Sequence, residues 1–169
     1  MNLFIVSGAP NTGKSTTVYH LCTYLLNLGY VKTDIPYNGK RYSTSTSFPP
    51  ILANDFSCLL EKEGKKVLIH TATDDVFNID ALVNSINNHK PSIVITTCRD
   101  FGDWPRDYFC SQLKLVNSFI LASTSDIDIE EFPLSRITRR TTRFATAYEW
   151  YFINSTHQIE KILSLPPYS

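Results

Sequence analysis

The sequence predicts an α/β protein: a three-layer sandwich around a mostly parallel sheet, with an antiparallel edge hairpin as the open alternative in its topology. Three observations lead there. Short apolar runs alternate along the chain with stretches patterned at helical period, as expected of strands joined by crossover helices. The first apolar run, Leu3 to Val6, ends at Ser7-Gly8 and is followed by a helical stripe of Val18, Leu21, Cys22 and Leu25. No repeat or low-complexity linker divides the 169 residues, so one domain over 1–169 is expected.

The elements follow in order. Leu3–Val6 reads as a buried parallel strand, and the helix over 13–28 is stopped by Gly29. Val67–Thr71 is a second strand, followed by a helix with Val76, Ile79, Val83 and Ile86 on one face, closed before Pro91. Ile93–Thr97 is a third strand, and Asp103 is placed to cap a helix from Trp104 to about Val116. Phe119–Ala122 and Trp150–Ile153 complete the strands. The last helix opens with Ser155 and Gln158 at capping-box spacing and ends at Pro166-Pro167. Residues 51–64 carry two patterns. Leu52, Phe56, Leu59 and Leu60 share a helical face, whereas Phe56, Cys58 and Leu60 alternate as in a strand. Lys62-Glu63-Gly64 would then turn that strand back into Val67 as a hairpin.

Composition narrows the function classes. Sixteen basic residues balance sixteen acidic ones, and 43% of the chain is hydrophobic. That excludes a disordered acidic segment and disfavours nucleic acid or lipid held by bulk charge. No stretch approaches the roughly 20 apolar residues of a membrane span, and without an n-region, h-region and cleavage-site pattern at its start no cleavable leader is expected. Cys22, Cys58, Cys98 and Cys110 lack metal-ligand or redox spacing and read as buried free thiols in a reducing, cytoplasmic setting. His20, His70, His89 and His157 are equally scattered, so no zinc site is suggested. The charge is uneven: residues 1–50 carry four basic and one acidic side chain, and residues 136–169 carry five and two. The middle is acidic. Two basic blocks could therefore converge on one polyanionic ligand.

One segment carries explicit chemistry. Gly8-Ala9-Pro10-Asn11-Thr12-Gly13-Lys14-Ser15 is G-x-x-x-x-G-K-S between an apolar strand and an amphipathic helix. Glycine at 8 and 13 lets successive backbone N–H groups converge on phosphate oxygens. The helix start adds unpaired donors and a positive dipole end. Lys14 can reach the β- and γ-phosphates, and Ser15 can offer its hydroxyl to Mg²⁺.

On this segment the chain resembles the P-loop NTPase superfamily, with a complete Walker A motif. The resemblance implies a bound nucleoside triphosphate with Mg²⁺, held by Gly8–Ser15 and by Thr16. ATP is favoured over GTP, since no Asn-Lys-x-Asp sequence follows. The element order is similar to that of small nucleotide and small-molecule kinases. The chain also resembles small bacterial P-loop proteins, a likeness that names no activity.

Further candidates surround the motif. Asp74-Asp75 follows the second strand, where an acid contacts metal-bound water or orients an attacking water; the competing role is a helix N-cap. Arg99 and Asp100 follow the third strand, at the edge where open α/β sheets bind ligands, or form a solvated ion pair. Arg136, Arg139, Arg140 and Arg143 share one helical face within a lid segment at 126–148. That face would clamp a transferring phosphoryl group, pair with Asp126, Asp128, Glu130 and Glu131, or meet nucleic-acid phosphates. Asp34 would activate an acceptor hydroxyl or serve a turn before Ile35-Pro36. Residues 37–47 would form a loop that orders over substrate.

The expected function is thus a Mg-ATP-binding, kinase-type phosphotransferase moving the γ-phosphate to a small-molecule or nucleotide acceptor. Lys14, Asp34, Asp74, Arg139 and Arg140 would be catalytic, and Ser15 and Asp74 would lie on the metal. The alternatives are an NTP-hydrolysing switch, which a hairpin at 56–69 would favour, and a nucleotide-sensing module with little turnover.

Overall fold

The computed structural model describes residues 1–10, 12–36, 55–100, 102–115 and 128–133; within the last stretch Glu131 is the described side chain. Among these described residues nine elements follow in order. They are β1 (Asn2–Ser7), α1 (Lys14–Asn27), β2 (Val31–Asp34), β3 (Ser57–Lys62), β4 (Lys65–His70), α2 (Val76–His89), β5 (Ile93–Cys98), α3 (Arg106–Gln112) and β6 (Asp128–Pro133). The expected strands at 119–122 and 150–153 and the final helix lie outside the described residues, as do the segments 37–47 and 136–143.

The strands form one sheet in the order β2-β3-β4-β5-β1-β6. It is mixed, with β3 running against the other described strands. β1 pairs in parallel with β5 and β6, and β4 with β5, whereas β2–β3 and β3–β4 are antiparallel. The reason is local. Lys62 pairs with Lys65, leaving a two-residue turn at Glu63 (φ 50°) and Gly64 (φ 76°). Two positive φ values suit a tight hairpin, and a parallel crossover needs a dozen residues or more. Within the ambiguous segment Ser57–Lys62 is therefore strand, and Ser57 stands opposite His70.

Helices cover both faces. Val18, Leu21, Cys22 and Leu25 of α1 pack on Phe4, Val6, Phe56, Cys58, Leu60 and Ile69. Ile79 and Leu82 of α2, with Phe109 and Cys110 of α3, pack on Leu3, Ile5, Leu68 and Val94. The two clusters are the alternate residues of the same strands, which is why the central strands read as continuous apolar runs. All four cysteines are buried free thiols. No helix among the described residues is long and apolar enough to cross a membrane.

Helix ends follow their sequence signals unevenly. Gly29 and Tyr30 close α1 by donating to Leu26 and Leu25 carbonyls at 2.9 and 3.2 Å, a Schellman stop. Asp75 caps α2. Asp103 does not cap α3, which starts later than expected, at Arg106, with Pro105 preceding it. The Asp103 backbone instead joins successive turns, donating to Asp100 and accepting from Arg106.

Candidate functional site

β1 and β5 are neighbours, yet the chain leaves β1 for α1 on one face and leaves β5 for α3 on the other. Such a divergence opens a crevice at the carboxyl edge of the sheet. The Gly8–Ser15 segment lies at this point. Gly8 N–H donates to the Cys98 carbonyl at 3.2 Å, so the loop begins already fastened to the end of β5. Gly13 adopts φ 90°, ψ 15° as the N-cap of α1, a left-handed conformation that costs a residue with a Cβ. Within the loop Thr12 Oγ1 donates to the Ala9 carbonyl at 2.9 Å.

The start of α1 is electropositive by construction. Gly13 offers no side-chain cap, and the first turn contains no acidic residue, so the helix itself supplies neither a cap nor an anion for its terminal N–H groups and dipole. Lys14 is the first helical residue. Its ammonium donates to the carbonyls of Gly8 and Ala9, both at 3.0 Å, and folds back over the loop. Burial lowers its pKa, opposed chiefly by the nearby Asp74 carboxylate, with Arg99, Asp55 and Asp100 also in its field.

Ser15 identifies an acid that sequence reasoning overlooked. Its hydroxyl donates to Asp55 Oδ1 at 2.7 Å. The Thr71 hydroxyl lies 3.2 Å from the same oxygen and accepts from Phe56 N–H at 2.8 Å. Burial raises the Asp55 pKa, opposed by the Ser15 hydrogen bond. Asp55 lies two positions before the start of β3, and because β3 runs antiparallel to β4, its amino end lies at the edge where β4 carries its carboxyl end. The available signal was an acid just before an apolar run; it acquires meaning only once the strand is known to be reversed.

The other candidates are distributed as follows. Asp74 forms an ion pair with Arg99, Oδ1 to Nε at 2.8 Å, between the β4–α2 and β5–α3 connections. Asp75 caps α2, its carboxylate accepting from Asn78 N–H at 2.8 Å and from the Asn78 amide at 2.7 Å. Asp34 ends β2 opposite Cys58, three positions deeper in the sheet than Asp55, and pairs with Lys32 at 2.9 Å. The structure thus gathers Lys14, Ser15, Asp74 and Arg99 at one edge and leaves Asp34 opposite Cys58, whose thiol lies 3.9 Å from that of Cys22. Asn11, Arg139 and Arg140 lie outside the described residues.

Beneath the site, hydroxyls knit β4 to β5. Thr96 donates to the His70 carbonyl and Thr97 to that of Thr71, both at 2.7 Å, and the Thr73 and Thr97 hydroxyls meet at 2.9 Å. Beyond them Arg106 makes a two-pronged contact with Glu131 at 2.9 and 2.8 Å and donates to the Arg99 carbonyl at 2.8 Å. This ties the loop after β5 to β6, the two flanks of β1. No group of three or more His, Cys, Asp or Glu side chains forms a metal site by itself among the described residues.

Comparison with protein families, with curated proteins and with solved structures finds no match.

Proposed function

We propose that this chain is a P-loop domain that binds a magnesium nucleoside triphosphate and hydrolyses it. The observation that carries the reading is the Ser15–Asp55 hydrogen bond beside Lys14 at an uncapped helix start. Two hard oxygen donors, one of them a carboxylate, suit Mg²⁺, which binds one or two protein groups and completes its shell with water and phosphate oxygens. Ser15 and Asp55 would hold the ion. When bound, it supplies charge neutralisation across the β- and γ-phosphates. Lys14 would exchange the Gly8 and Ala9 carbonyls for phosphate oxygens. The N–H groups of the Gly8–Gly13 loop and of the first turn of α1 would orient the chain of phosphates.

Water is the better supported acceptor. The antiparallel β3–β4 hairpin is the arrangement that favours the hydrolytic alternative, and Asp34, the acceptor-side base of a kinase, is engaged with Lys32 away from Ser15. Asp74, the sequence's candidate for the metal, is engaged with Arg99. ATP remains the preferred nucleotide on the sequence.

The test is thermal stabilisation by Mg-ATP together with release of phosphate. Lys14→Ala should abolish the melting shift, and Asp55→Asn should abolish its dependence on Mg²⁺. A shift unchanged in Lys14→Ala would remove the P-loop assignment. Label from the γ-phosphate recovered on a small acceptor would restore the kinase reading.

A further inference from the structure

The Arg99–Asp74 pair has a feature that a resting ion pair lacks. Arg99 is largely buried, its side chain 16% exposed, while Asp74 is 52% exposed. The charges lie 2.8 Å apart, but among the described residues no acceptor is aligned with Arg99 Nε for a hydrogen bond. A largely buried guanidinium whose Nε meets, among the described residues, only a misaligned, solvent-facing carboxylate is weakly satisfied at that atom, because charged donors gain most from short, linear contacts.

Its position is equally specific. Arg99 follows Cys98, whose carbonyl accepts from Gly8 N–H, and it lies in the electrostatic field of Lys14. The backbones on either side are fixed: Thr73 and Thr97 bond each other, Asp75 is committed to α2, and the Arg99 carbonyl is held by Arg106. Exchange of partner at this pair therefore requires side-chain rotation alone, with no refolding of the loops.

Resting on the proposed P-loop function, we propose that Arg99 is the residue that distinguishes a nucleoside triphosphate from a diphosphate, and that Asp74 competes with the terminal phosphate for it. A terminal phosphate adds oxygens that a planar guanidinium can meet in line, and a diphosphate leaves Arg99 with Asp74. Asp74 acts as an internal stand-in anion. It keeps the arginine charge compensated before nucleotide arrives, at the expense of triphosphate affinity.

The experiment measures, by titration calorimetry with Mg²⁺, binding of ADP and of the imido analogue of ATP. Arg99→Ala should weaken the triphosphate at least tenfold and leave the diphosphate within twofold. Asp74→Asn should tighten the triphosphate severalfold and leave the diphosphate unchanged. Arg99→Lys keeps the charge without the planar fork and should fall between; with matched melting curves, it separates loss of recognition from loss of fold. Equal weakening of both nucleotides by Arg99→Ala, or no weakening, overturns the proposal. So does weaker triphosphate binding in Asp74→Asn, which would return Asp74 to the metal. A wild-type chain that binds neither nucleotide defeats the P-loop function itself. Binding that responds to Lys14→Ala but not to Arg99 or Asp74 defeats this inference alone.

Discussion

Ser15 Oγ and Asp55 Oδ1 stand 2.7 Å apart although forty positions separate them in sequence. The contact joins the first turn of α1 to the amino end of β3 and gives the Gly8–Ser15 loop its acid. If both groups serve one ion, their effects should not add. Ser15→Ala and Asp55→Asn are each expected to raise the Mg²⁺ concentration needed for nucleotide-dependent stabilisation by tenfold or more, and the double variant should be little worse than either. Additive losses in that cycle would show independent roles.

Asp75 offers a contrasting prediction. Its carboxylate is an N-cap for α2, so Asp75→Ala should cost about 1 kcal/mol in denaturant unfolding. Nucleotide affinity should stay within twofold. A selective loss of nucleotide binding would instead place Asp75 on the ligand side.

His70 links pH to stability. Its ring is fully buried, with Nε2 2.7 Å from the Ala72 carbonyl and Nδ1 3.0 Å from the Ser57 hydroxyl. A carbonyl only accepts, so Nε2 carries the proton and Nδ1 accepts from Ser57. Burial pushes the pKa down to about 4 from 6.5, opposed by backbone hydrogen bonds. The folded chain thus resists a proton that the unfolded chain takes up readily. Stability contributed above pH 6.5 is lost as pH falls from there through 4, by about 3 kcal/mol in all. Urea unfolding of the wild type should weaken more steeply over that window than in His70→Gln. Parallel profiles would contradict the assignment, and the difference profile separates the imidazole from carboxylates titrating nearby.

Arg106 and Glu131 are each 5% exposed and meet through both guanidinium ends. Breaking such a pair strands a buried charge, so Glu131→Leu should destabilise by about 3–5 kcal/mol, whereas Arg106→Met with Glu131→Leu should recover much of the loss. Chemical denaturation of the single and double variants checks this. A double variant as unstable as the single one would mean that the other Arg106 contacts, to Arg99 and Cys98, dominate.

Much of the local structure was legible in residue order. The run Leu3–Val6, the glycine-lysine loop and the stripe Val18-Leu21-Cys22-Leu25 define β1, the turn and α1 through an unbroken apolar stretch and a period of 3.6. The helix over 76–89 was legible for the same reason, and Pro91 marked its limit. The ambiguity at 51–64 was real, because a short apolar run satisfies both periods; the Glu63-Gly64 turn and its partner strand resolved it.

By itself the sequence determined where the glycine-lysine loop would form and which strand and helix would hold it, since those features depend on neighbours a few residues apart. Only the tertiary structure decided which acid meets Ser15 and which partner holds Arg99. Strand order and direction set those meetings. Asp55 reaches the carboxyl edge because β3 is reversed, Asp74 and Arg99 face each other because β4 and β5 are parallel neighbours, and Asp34 is set apart because β2 is the outer strand beyond β3.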